Sequence, residues 1–331
     1  MPHILVAGRI HKAGTAVLEA AEGFTFDLVD EVSLASYSPH IGRADAVLIR
    51  TQPMPASVIA QAPNLKIVSR HGVGYDAVDV AALNARGIPL VIAGDVNSKS
   101  VAEHTLMMML SLMKRASVYD RHTREGNWNF RNSLQATELG GKTLFLLGFG
   151  RIGRHVARLA QAFDMKILAY DPFVDAAAIT LAGATPIANI GDALAQADVI
   201  SVHIPLASDK PLIGAAELAR MKPTAVIINT ARGGIVDEDA MAAALNEDRL
   251  SGAGLDVFSS EPPDTTHSLF HSKHTLLSPH SAGLTEECAA RMAIASAQNI
   301  VDFFNGRLDP AVVVNAGSIS PAARKLLRHH A

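Results

Sequence analysis

Three glycines near the middle of the chain constrain its fold more than any other feature. Gly148, Gly150 and Gly153 form a G-x-G-x-x-G motif directly after the apolar run 144–147, which predicts a buried parallel strand, and residues 151–163 then show helical periodicity. In this order the first glycine makes a tight turn, the second lets the backbone approach a pyrophosphate, and the third lets the helix lie close to the strand. The alternative is a glycine-rich turn in some other βαβ unit, which would not require this full context.

The strand after this helix ends in an acidic residue, as a dinucleotide-binding unit requires. An apolar run spans Ile167 to Tyr170, and Asp171 follows it, roughly 20 residues beyond the glycines. A carboxylate at this position can accept hydrogen bonds from both ribose hydroxyls and repels a 2′-phosphate. The sequence therefore predicts that the cofactor is NAD rather than NADP.

Short apolar runs alternate with helical segments throughout the chain. This alternation predicts parallel sheets with helices on both faces, the doubly wound α/β class. The glycine motif normally opens a nucleotide-binding domain, yet here it begins near residue 144, so the four or five strands before it must form a separate sheet. The runs are HILVA, AVLIR, LKIVS and IPLVIA before the motif, then TLFLLG, KILAYD, DVISVHI, AVIINT, GAGLDVF and HTLLSP.

Two long helices are predicted outside these runs. Residues 98–125 have the pattern of one amphipathic helix, capped near Asn97 or Ser98, which we expect to bridge two domains. Its three consecutive methionines, 107–109, favour packing over ligand binding, because methionine commonly fills irregular cores. Glu286 to Asn305 form the second helix, and the segment AVVVN after it can return to the first domain.

Composition and charge exclude several classes of protein. The 331 residues are 49% hydrophobic and 18% charged, and a formal net charge of −3 offers no basic field to nucleic acid. Cys288 is the only cysteine, which rules out an internal disulfide and suits a reducing cytosol. No apolar run approaches the roughly 18 residues of a membrane span, and the opening MPHILVAGRI predicts a strand instead of a signal peptide. We expect a cytoplasmic enzyme without a nucleic-acid or membrane partner, and we identify no metal site.

Three segments follow strands of the nucleotide-binding half, at the edge where open α/β sheets bind ligands. INTARGGIVDEDAM carries Arg232, GLDVFSSEPP carries Asp256 and Glu261, and LLSPHSAG carries His280. An arginine can hold a carboxylate through two hydrogen bonds, and a histidine can take a hydroxyl proton while hydride leaves the same carbon. A buried glutamate facing the other imidazole nitrogen would fix the tautomer. Each residue alone also has a structural interpretation, as a helix cap, a surface turn or a solvated side chain.

Several motifs in register over nearly the whole chain resemble one family. RHGVGYDAVDV, NSKSVAEH, ELGGKTLFLLGFGRIGR, NTARGGIVDEDAM, GAGLDVFSSEPP and SPHSAG occur in the order typical of D-isomer-specific 2-hydroxyacid dehydrogenases, closest to the phosphoglycerate-dehydrogenase-like members. The resemblance implies a flavodoxin-like substrate domain, residues 1–97 plus 285–331, into which a Rossmann-type NAD domain, residues 98–284, is inserted. It also implies a homodimer built on the nucleotide domain.

The resemblance further implies a role for individual residues. Arg232 would bind the carboxylate and carbonyl of the substrate, His280 would be the acid/base, and Glu261 would be its partner. Backbone N–H groups of Val73 and Gly74 would bind the substrate carboxylate. The cofactor contacts beyond the glycines and Asp171 would be Arg151, Ile152, His203, Pro205, Thr230, Ala231, Asp256 (at the nicotinamide carboxamide), His280 and Gly283.

Residues of the first domain leave the substrate open. Arg50 and Arg70 end strands there, at places where phosphoglycerate-dehydrogenase-like members bind a distal phosphate, and the alternative is that both are solvated charges. His71 stands where the family often has a small residue. Because the chain ends at Ala331, we expect no regulatory domain.

The sequence thus predicts an NAD-dependent oxidoreductase that interconverts a D-2-hydroxy acid and its 2-oxo acid, with 3-phosphoglycerate or another acid carrying a second anionic group as the candidate substrate. One alternative is a glyoxylate or hydroxypyruvate reductase, although Asp171 argues against the branch that uses NADPH. The other is an NAD-sensing scaffold like the corepressors of this fold. A scaffold would show a degraded catalytic set or long tails, whereas Arg232, Glu261 and His280 are all present.

Overall fold

In the computed structural model, which describes residues 1–327, the chain forms two compact units. Unit 1 consists of Met1–Asn97 and Leu284–Ala331, and unit 2 of Ser98–Gly283. Residues 328–331, the end of the segment assigned above to the substrate domain, lie outside the described part. Among the residues described, no helix combines the length and the apolarity needed to cross a membrane.

The elements follow one another in chain order. The strands are β1 His3–Ala7, β2 Thr25–Val29, β3 Ala46–Ile49, β4 Ile67–Arg70, β5 Leu90–Ile92, β6 Thr143–Leu147, β7 Lys166–Tyr170, β8 Thr185–Pro186, β9 Val199–Val202, β10 Val226–Asn229, β11 Gly252–Leu255 and β12 Thr275–Leu277. The α-helices are α1 Lys12–Ala20, α2 Leu34–Tyr37, α3 Ala56–Ile59, α4 Val80–Ala85, α5 Ser98–Met113, α6 Ala116–Arg124, α7 Arg151–Gln161, α8 Ala176–Leu181, α9 Ile190–Gln196, α10 Ala215–Leu218, α11 Glu238–Asn246, α12 Glu286–Phe304 and α13 Pro321–Arg324. Short 3-10 helices span Ser38–Arg43, Trp128–Ser133, Ser268–His271, Pro310–Val312 and Ala316–Ser318.

The five strands of unit 1 form a parallel sheet in the flavodoxin-like order β2-β1-β3-β4-β5. Along β1, Ile4 and Val6 belong to one core with residues of α12, whereas Leu5 and Ala7 belong to another core with Tyr37. Successive side chains of a strand point to opposite faces, so a sheet covered on both sides requires the continuous apolar runs that the sequence shows.

The seven strands of unit 2 form a parallel sheet in the order β12-β11-β10-β9-β6-β7-β8, a Rossmann sheet with one further strand. Phe145 and Leu147 of β6 pack on one face, and Leu144 and Leu146 pack on the other, where α5 also contributes. The predicted fold class of two doubly wound parallel sheets is therefore confirmed. The strand order changes direction between β6 and β9, the place where such sheets bind ligands.

The predicted single helix over residues 98–125 is wrong. The chain forms α5 and then α6, separated at Arg115, whose φ of 52° lies in the left-handed region. The guanidinium of Arg115 donates to the backbone oxygen of Ser251 at 3.1 Å and to its Oγ at 2.8 Å. This tertiary contact accounts for the break, because neither glycine nor proline interrupts the helical pattern there. Met108 and Met109 are buried, as packing residues should be, but Met107 is exposed.

The C-terminal segment of unit 1 joins the sheet edge. Val313 pairs antiparallel with Val91, and the side chain of Asn315 accepts from the N–H of Leu90 at 2.8 Å. The Asn315 amide also donates to the oxygen of Ile88 at 2.9 Å. Through these bonds, residues 313–315 pair with the β5 edge of the sheet in the same unit.

Candidate active site

The glycine loop between β6 and α7 has the shape that a pyrophosphate requires. Gly148 has a φ of 106°, and a Cβ there would lie 2.5 Å from the oxygen of His203. A Cβ on Gly153 would lie 2.3 Å from the oxygen of Gly148, so α7 can approach β6 only without a side chain at this position. Gly150 precedes the first turn of α7 without a side-chain cap, and the space beside it is open. The N–H groups of that turn are therefore available to an anion.

Asp171 lies directly against this loop. Its Oδ2 accepts from the N–H of Phe149 at 2.8 Å, and its Oδ1 accepts from the N–H of Phe173 at 2.9 Å. Each carboxylate oxygen keeps a lone pair for a ribose hydroxyl. The acidic residue thus shapes the loop, a function that the sequence pattern did not indicate.

His203 follows β9 at the point where the strand order changes direction. The backbone N–H of His203 donates to the backbone oxygen of Leu147 at 2.7 Å, and its ring Nε2 lies 2.8 Å from Ser201 Oγ. Burial lowers the pKa of His203 to about 3, so the ring is neutral near pH 7. Its Nδ1 is buried with no hydrogen-bond partner among the described residues. An orphaned nitrogen beside the glycine loop, with the uncapped helix, fits a bound dinucleotide.

The other residues assigned to the cofactor lie around the same edge. Thr230 follows β10, and its Oγ1 lies 2.9 Å from Thr105 Oγ1 on α5. Ala231 donates its N–H to Asn229 Oδ1 at 3.0 Å. The remaining positions are Arg151 (exposed) and Ile152 at the start of α7, Pro205 (exposed) after His203, and Gly283 at the end of unit 2.

His280 and Glu261 meet after neighbouring strands. His280 follows β12 and Glu261 follows β11, and imidazole Nδ1 lies 2.7 Å from Glu261 Oε2. The other oxygen, Oε1, accepts from the N–H of Phe258 at 3.1 Å, which orients the carboxylate. The sequence predicted a buried glutamate, but the side chains of Glu261 and His280 are 37% and 51% exposed. The pair is therefore accessible, while Nδ1 is held and Nε2 is left for proton transfer.

Asp256, for which a contact with the nicotinamide carboxamide stays a prediction, is bonded to the segment that follows β12. Its side chain is 1% exposed, and its two oxygens accept from Ser278 Oγ and from the N–H groups of Ser281 and Ala282. The carboxylate thus holds the segment that carries His280. Neither the serine hydroxyl nor the backbone contacts could be read from the spacing of the motifs.

Arg232 lies after β10, in a loop packed against the loop of Glu261. Its backbone oxygen accepts from the amide of Asn229 at 2.8 Å. At the next residue, a Cβ on Gly233 would lie 1.9 Å from both the carbonyl carbon and oxygen of Phe258. Glycine is required because the two backbones touch. The arginine and the Glu261–His280 pair are consequently held on adjoining loops.

Unit 1 gathers polar side chains at the carboxyl ends of β3 and β4. Arg50 follows β3 at the β1/β3 switch point, and its Nη1 donates to the oxygen of Arg9 at 2.8 Å. Arg70 ends β4, and the N–H of His71 donates to the oxygen of Ile49 at 2.8 Å. Val73 and Gly74 lie in the loop that follows and are partly exposed.

Two buried side chains at this edge have unpaired polar atoms. His71 is 7% exposed, and burial together with the charges of Arg50 and Arg70 lowers its pKa to about 4. Its Nε2, and both amide atoms of Gln52 (2% exposed), have no hydrogen-bond partner within residues 1–327. Sequence reasoning missed Gln52, because an isolated glutamine after a strand resembles any surface residue. Within residues 1–327, no group of three or more histidine, cysteine and acidic residues could hold a metal ion.

Comparison with known proteins gives the family. Residues 106–282 match the model described as D-isomer specific 2-hydroxyacid dehydrogenase, NAD binding domain. The chain is 38% identical over 322 residues to a D-3-phosphoglycerate dehydrogenase of Mycobacterium tuberculosis, covering 96% of this chain and 60% of the relative. It is 34% identical over 322 residues to a glyoxylate reductase of Korarchaeum cryptofilum, covering 94% of this chain and 96% of the relative. A D-lactate dehydrogenase structure from Aquifex aeolicus, complexed with NAD and lactic acid, matches with a TM-score of 0.84 and 26% identity, covering 92% and 96% of the two chains.

The chain belongs to the D-isomer specific 2-hydroxyacid dehydrogenase family, and unit 2 contains the NAD-binding domain of that family. The resemblance inferred from the motifs is therefore confirmed, and so is NAD as the cofactor. The chain spans 53–60% of the length of the D-3-phosphoglycerate dehydrogenases that it matches.

Proposed function

We propose that the protein is an NAD-dependent dehydrogenase that interconverts a D-2-hydroxy acid and its 2-oxo acid. The observation that carries this proposal is the His280–Glu261 pair, with Nδ1 and Oε2 2.7 Å apart, on a loop beside that of Arg232. These groups follow neighbouring strands of an NAD-binding unit. Bound NAD supplies the acceptor for the hydride that leaves the hydroxyl-bearing carbon.

The side chains divide the remaining work. Glu261 accepts the N–H of His280 Nδ1, so that the lone pair of the neutral ring lies on Nε2. His280 Nε2 takes the proton of the substrate hydroxyl as the C–H bond breaks, and returns it in the opposite direction. Arg232 holds the carboxylate beside the reacting carbon through its planar guanidinium. The net products from the hydroxy acid are the oxo acid, NADH and one proton.

We further propose that the substrate carries a second anionic group. Arg50 and Arg70 would bind it, and the backbone N–H groups of Val73 and Gly74 would bind the substrate carboxylate. Support comes from the position of Arg50 at the switch point of unit 1, where ligands of this sheet type bind. A glyoxylate or hydroxypyruvate reductase is the second candidate, favoured by the 34% identity to a glyoxylate reductase over nearly its whole length.

We propose a homodimer built on unit 2. None of the residues of α6 or of the 3-10 helix Trp128–Ser133 is buried, and Trp128 and Leu134 are among the exposed large apolar side chains. A second copy of the same chain would cover this surface. Sedimentation at micromolar concentration tests the proposal, and a monomer would refute it. The cytoplasmic location stays a proposal that rests on the single cysteine.

The test of the function is a substrate panel. The purified protein is incubated with NAD and with D-3-phosphoglycerate, D-glycerate, glycolate or D-lactate, and NADH formation is followed by absorbance, with L-lactate as the stereochemical control. We expect turnover of at least one D-acid and none of L-lactate. NAD binding without turnover of any acid in either direction would instead favour the scaffold of the corepressor type.

A further inference from the structure

His280 is held in an unfavourable backbone conformation. Its φ of 50° lies in the left-handed region, which is sterically unfavourable for a residue with a side chain. The backbone N–H of His280 donates to the backbone oxygen of Asp256 at 2.8 Å. Its half-exposed ring contacts Glu261 through Nδ1. The direction of the imidazole therefore depends on how firmly this backbone is fixed.

The carboxylate of Asp256 fixes the chain on both sides of His280. Oδ1 accepts from Ser278 Oγ at 2.5 Å and from the N–H of Ser281 at 2.8 Å, and Oδ2 accepts from the N–H of Ala282 at 2.9 Å. Because Asp256 is buried, its charge is stabilised chiefly by these donors. Loss of the serine hydroxyl would weaken that stabilisation and release the segment before His280.

The hydroxyl of Ser278 has a second neighbour on α5. His104 Nε2 lies 3.0 Å from Ser278 Oγ and 3.8 Å from Asp256 Oδ1. The hydroxyl has one proton, and the short contact with a carboxylate claims it, so the oxygen accepts from His104 Nε2–H. The hydrogen bonds therefore run in one direction, from His104 through Ser278 to Asp256. The helix that carries His104 is anchored by the buried Met108.

We propose that His104 and Ser278 are positioning residues. They act through Asp256, which fixes the backbone at His280 and so the position of the imidazole that transfers the proton. The inference rests on the proposed function. Within residues 1–327, the hydrogen bonds of these two side chains lead to Asp256 and not to His280 or Glu261. Their loss should consequently reduce turnover and leave the affinity for substrate and NAD unchanged.

The first measurement is steady-state kinetics of paired variants. Ser278→Ala and His104→Leu remove one hydrogen bond each, whereas Ser278→Thr keeps the hydroxyl and His104→Gln keeps an N–H donor. We expect Ser278→Ala and His104→Leu to lower kcat about 10-fold or more, the effect of losing a hydrogen bond in a chain that ends at a charged group, with KM within about 2-fold. We expect Ser278→Thr and His104→Gln to recover most of that loss. Ser111→Ala is the matched control, because that hydroxyl lies on the same helix and contacts only Met107 Sδ, at 3.7 Å, among the bonds of its side chain in the described residues.

The second measurement does not depend on activity. Nitrogen-15 NMR of histidine-labelled protein without added NAD or substrate reports the ring of His280, identified among the 14 histidines by its loss in His280→Ala. We expect Ser278→Ala to shift or broaden these resonances and Ser278→Thr to restore them. If the wild type turns over no acid, this result still supports the positioning role, and only the proposed function fails.

Unchanged His280 resonances in both folded Ser278→Ala and His104→Leu would overturn the inference. A fall in kcat with unchanged resonances would overturn it as well, since the effect would then reach turnover by another route. Circular dichroism identifies a variant that does not fold, in which case the other position carries the test.

Discussion

The carboxyl ends of the two sheets differ in which polar side chains are paired: in unit 2 the carboxylates around His280 are paired, and the atom without a partner within residues 1–327 is His203 Nδ1, beside the glycine loop. In unit 2, both oxygens of Asp256 and both oxygens of Glu261 have hydrogen-bond partners. In unit 1, the buried side chains of Gln52 and His71 present atoms that no described residue pairs. A buried polar group without a partner costs about 1–3 kcal/mol. The groups that we propose for proton transfer are thus hydrogen-bonded within the chain itself, whereas the edge at Arg50 would gain stability from a ligand or water that bonds to its unpaired atoms.

The strongest test of the organised edge removes its acid/base. We expect His280→Ala to lower kcat by about 10²–10⁴-fold, because general acid–base help is worth that much, and to leave NAD affinity unchanged. Calorimetric titration with NAD beside steady-state kinetics checks both. His267→Ala is the matched control, since this partly exposed side chain of the same unit bonds, within residues 1–327, to Asp239 Oδ1 and to the N–H of Leu269. A variant retaining more than a tenth of the wild-type kcat would exclude His280 as the acid/base.

The unpaired edge should be sensitive to acid. His71 has a pKa of about 4 when folded and about 6.5 in the unfolded chain, so only the unfolded chain binds its proton between these values. The free energy of unfolding should therefore fall as the pH decreases from 6.5 to 4, by on the order of 3 kcal/mol from this residue. Urea unfolding of wild type and His71→Gln across this range measures the difference. His203 is present in both proteins, so its contribution to the pH dependence of unfolding cancels in the comparison. Parallel pH profiles of the two proteins would contradict the prediction.

Arg50 should distinguish substrates by their distal group. Burial lowers the pKa of its guanidinium, which is nevertheless charged at any working pH. Arg50→Ala should reduce kcat/KM for D-3-phosphoglycerate roughly 10–100-fold, which corresponds to a lost interaction of about 1.5–3 kcal/mol. The kcat/KM for D-lactate should change little. Arg9→Ala is the control, because the backbone of Arg9 and not its side chain accepts from Arg50. Equal losses for both substrates would mean that Arg50 supports the fold and contacts no distal anion.

The smallest effect is expected at Asp171. Asp171→Asn keeps one oxygen, which can still accept from the N–H of Phe149, loses the contact with the N–H of Phe173, and removes the charge that repels a 2′-phosphate. We expect the ratio of kcat/KM for NAD to that for NADP to fall by about 10-fold, the effect of roughly 1.4 kcal/mol. Equal use of both cofactors by the wild type would overturn the assignment of Asp171.

The sequence predicted the strands that consist of apolar runs, including the partly exposed edge strand β12, and missed β2 and β8. β1 and β3 are continuous apolar runs because each lies inside its sheet, whereas β2 lies at an edge and has no buried residue, and β8 has only two residues. The end of α5 was also missed. It depends on the contact between Arg115 and Ser251, residues far apart in the sequence, and no local pattern encodes such a contact.

The candidate site divides in the same way. Motif order placed His280, Glu261 and Arg232 after neighbouring strands, since strand ends of a parallel sheet lie along one edge. The bonds of Asp256 to Ser278 and Ala282 depend on how one loop folds back on another, which spacing does not specify. Whether a side chain is paired, as at Gln52 in unit 1, depends on every neighbour and is visible only in three dimensions.

The contact at Gly233 has a consequence for redesign of the protein. Because the backbone of Phe258 fills the space where a side chain would begin, any substitution at Gly233 pushes the loop of Arg232 away from the loop that ends in Glu261. Mutant libraries that include this position would be dominated by inactive clones. Altered substrate range should instead be sought at Gln52 and His71, where buried side chains have unsatisfied hydrogen-bonding capacity.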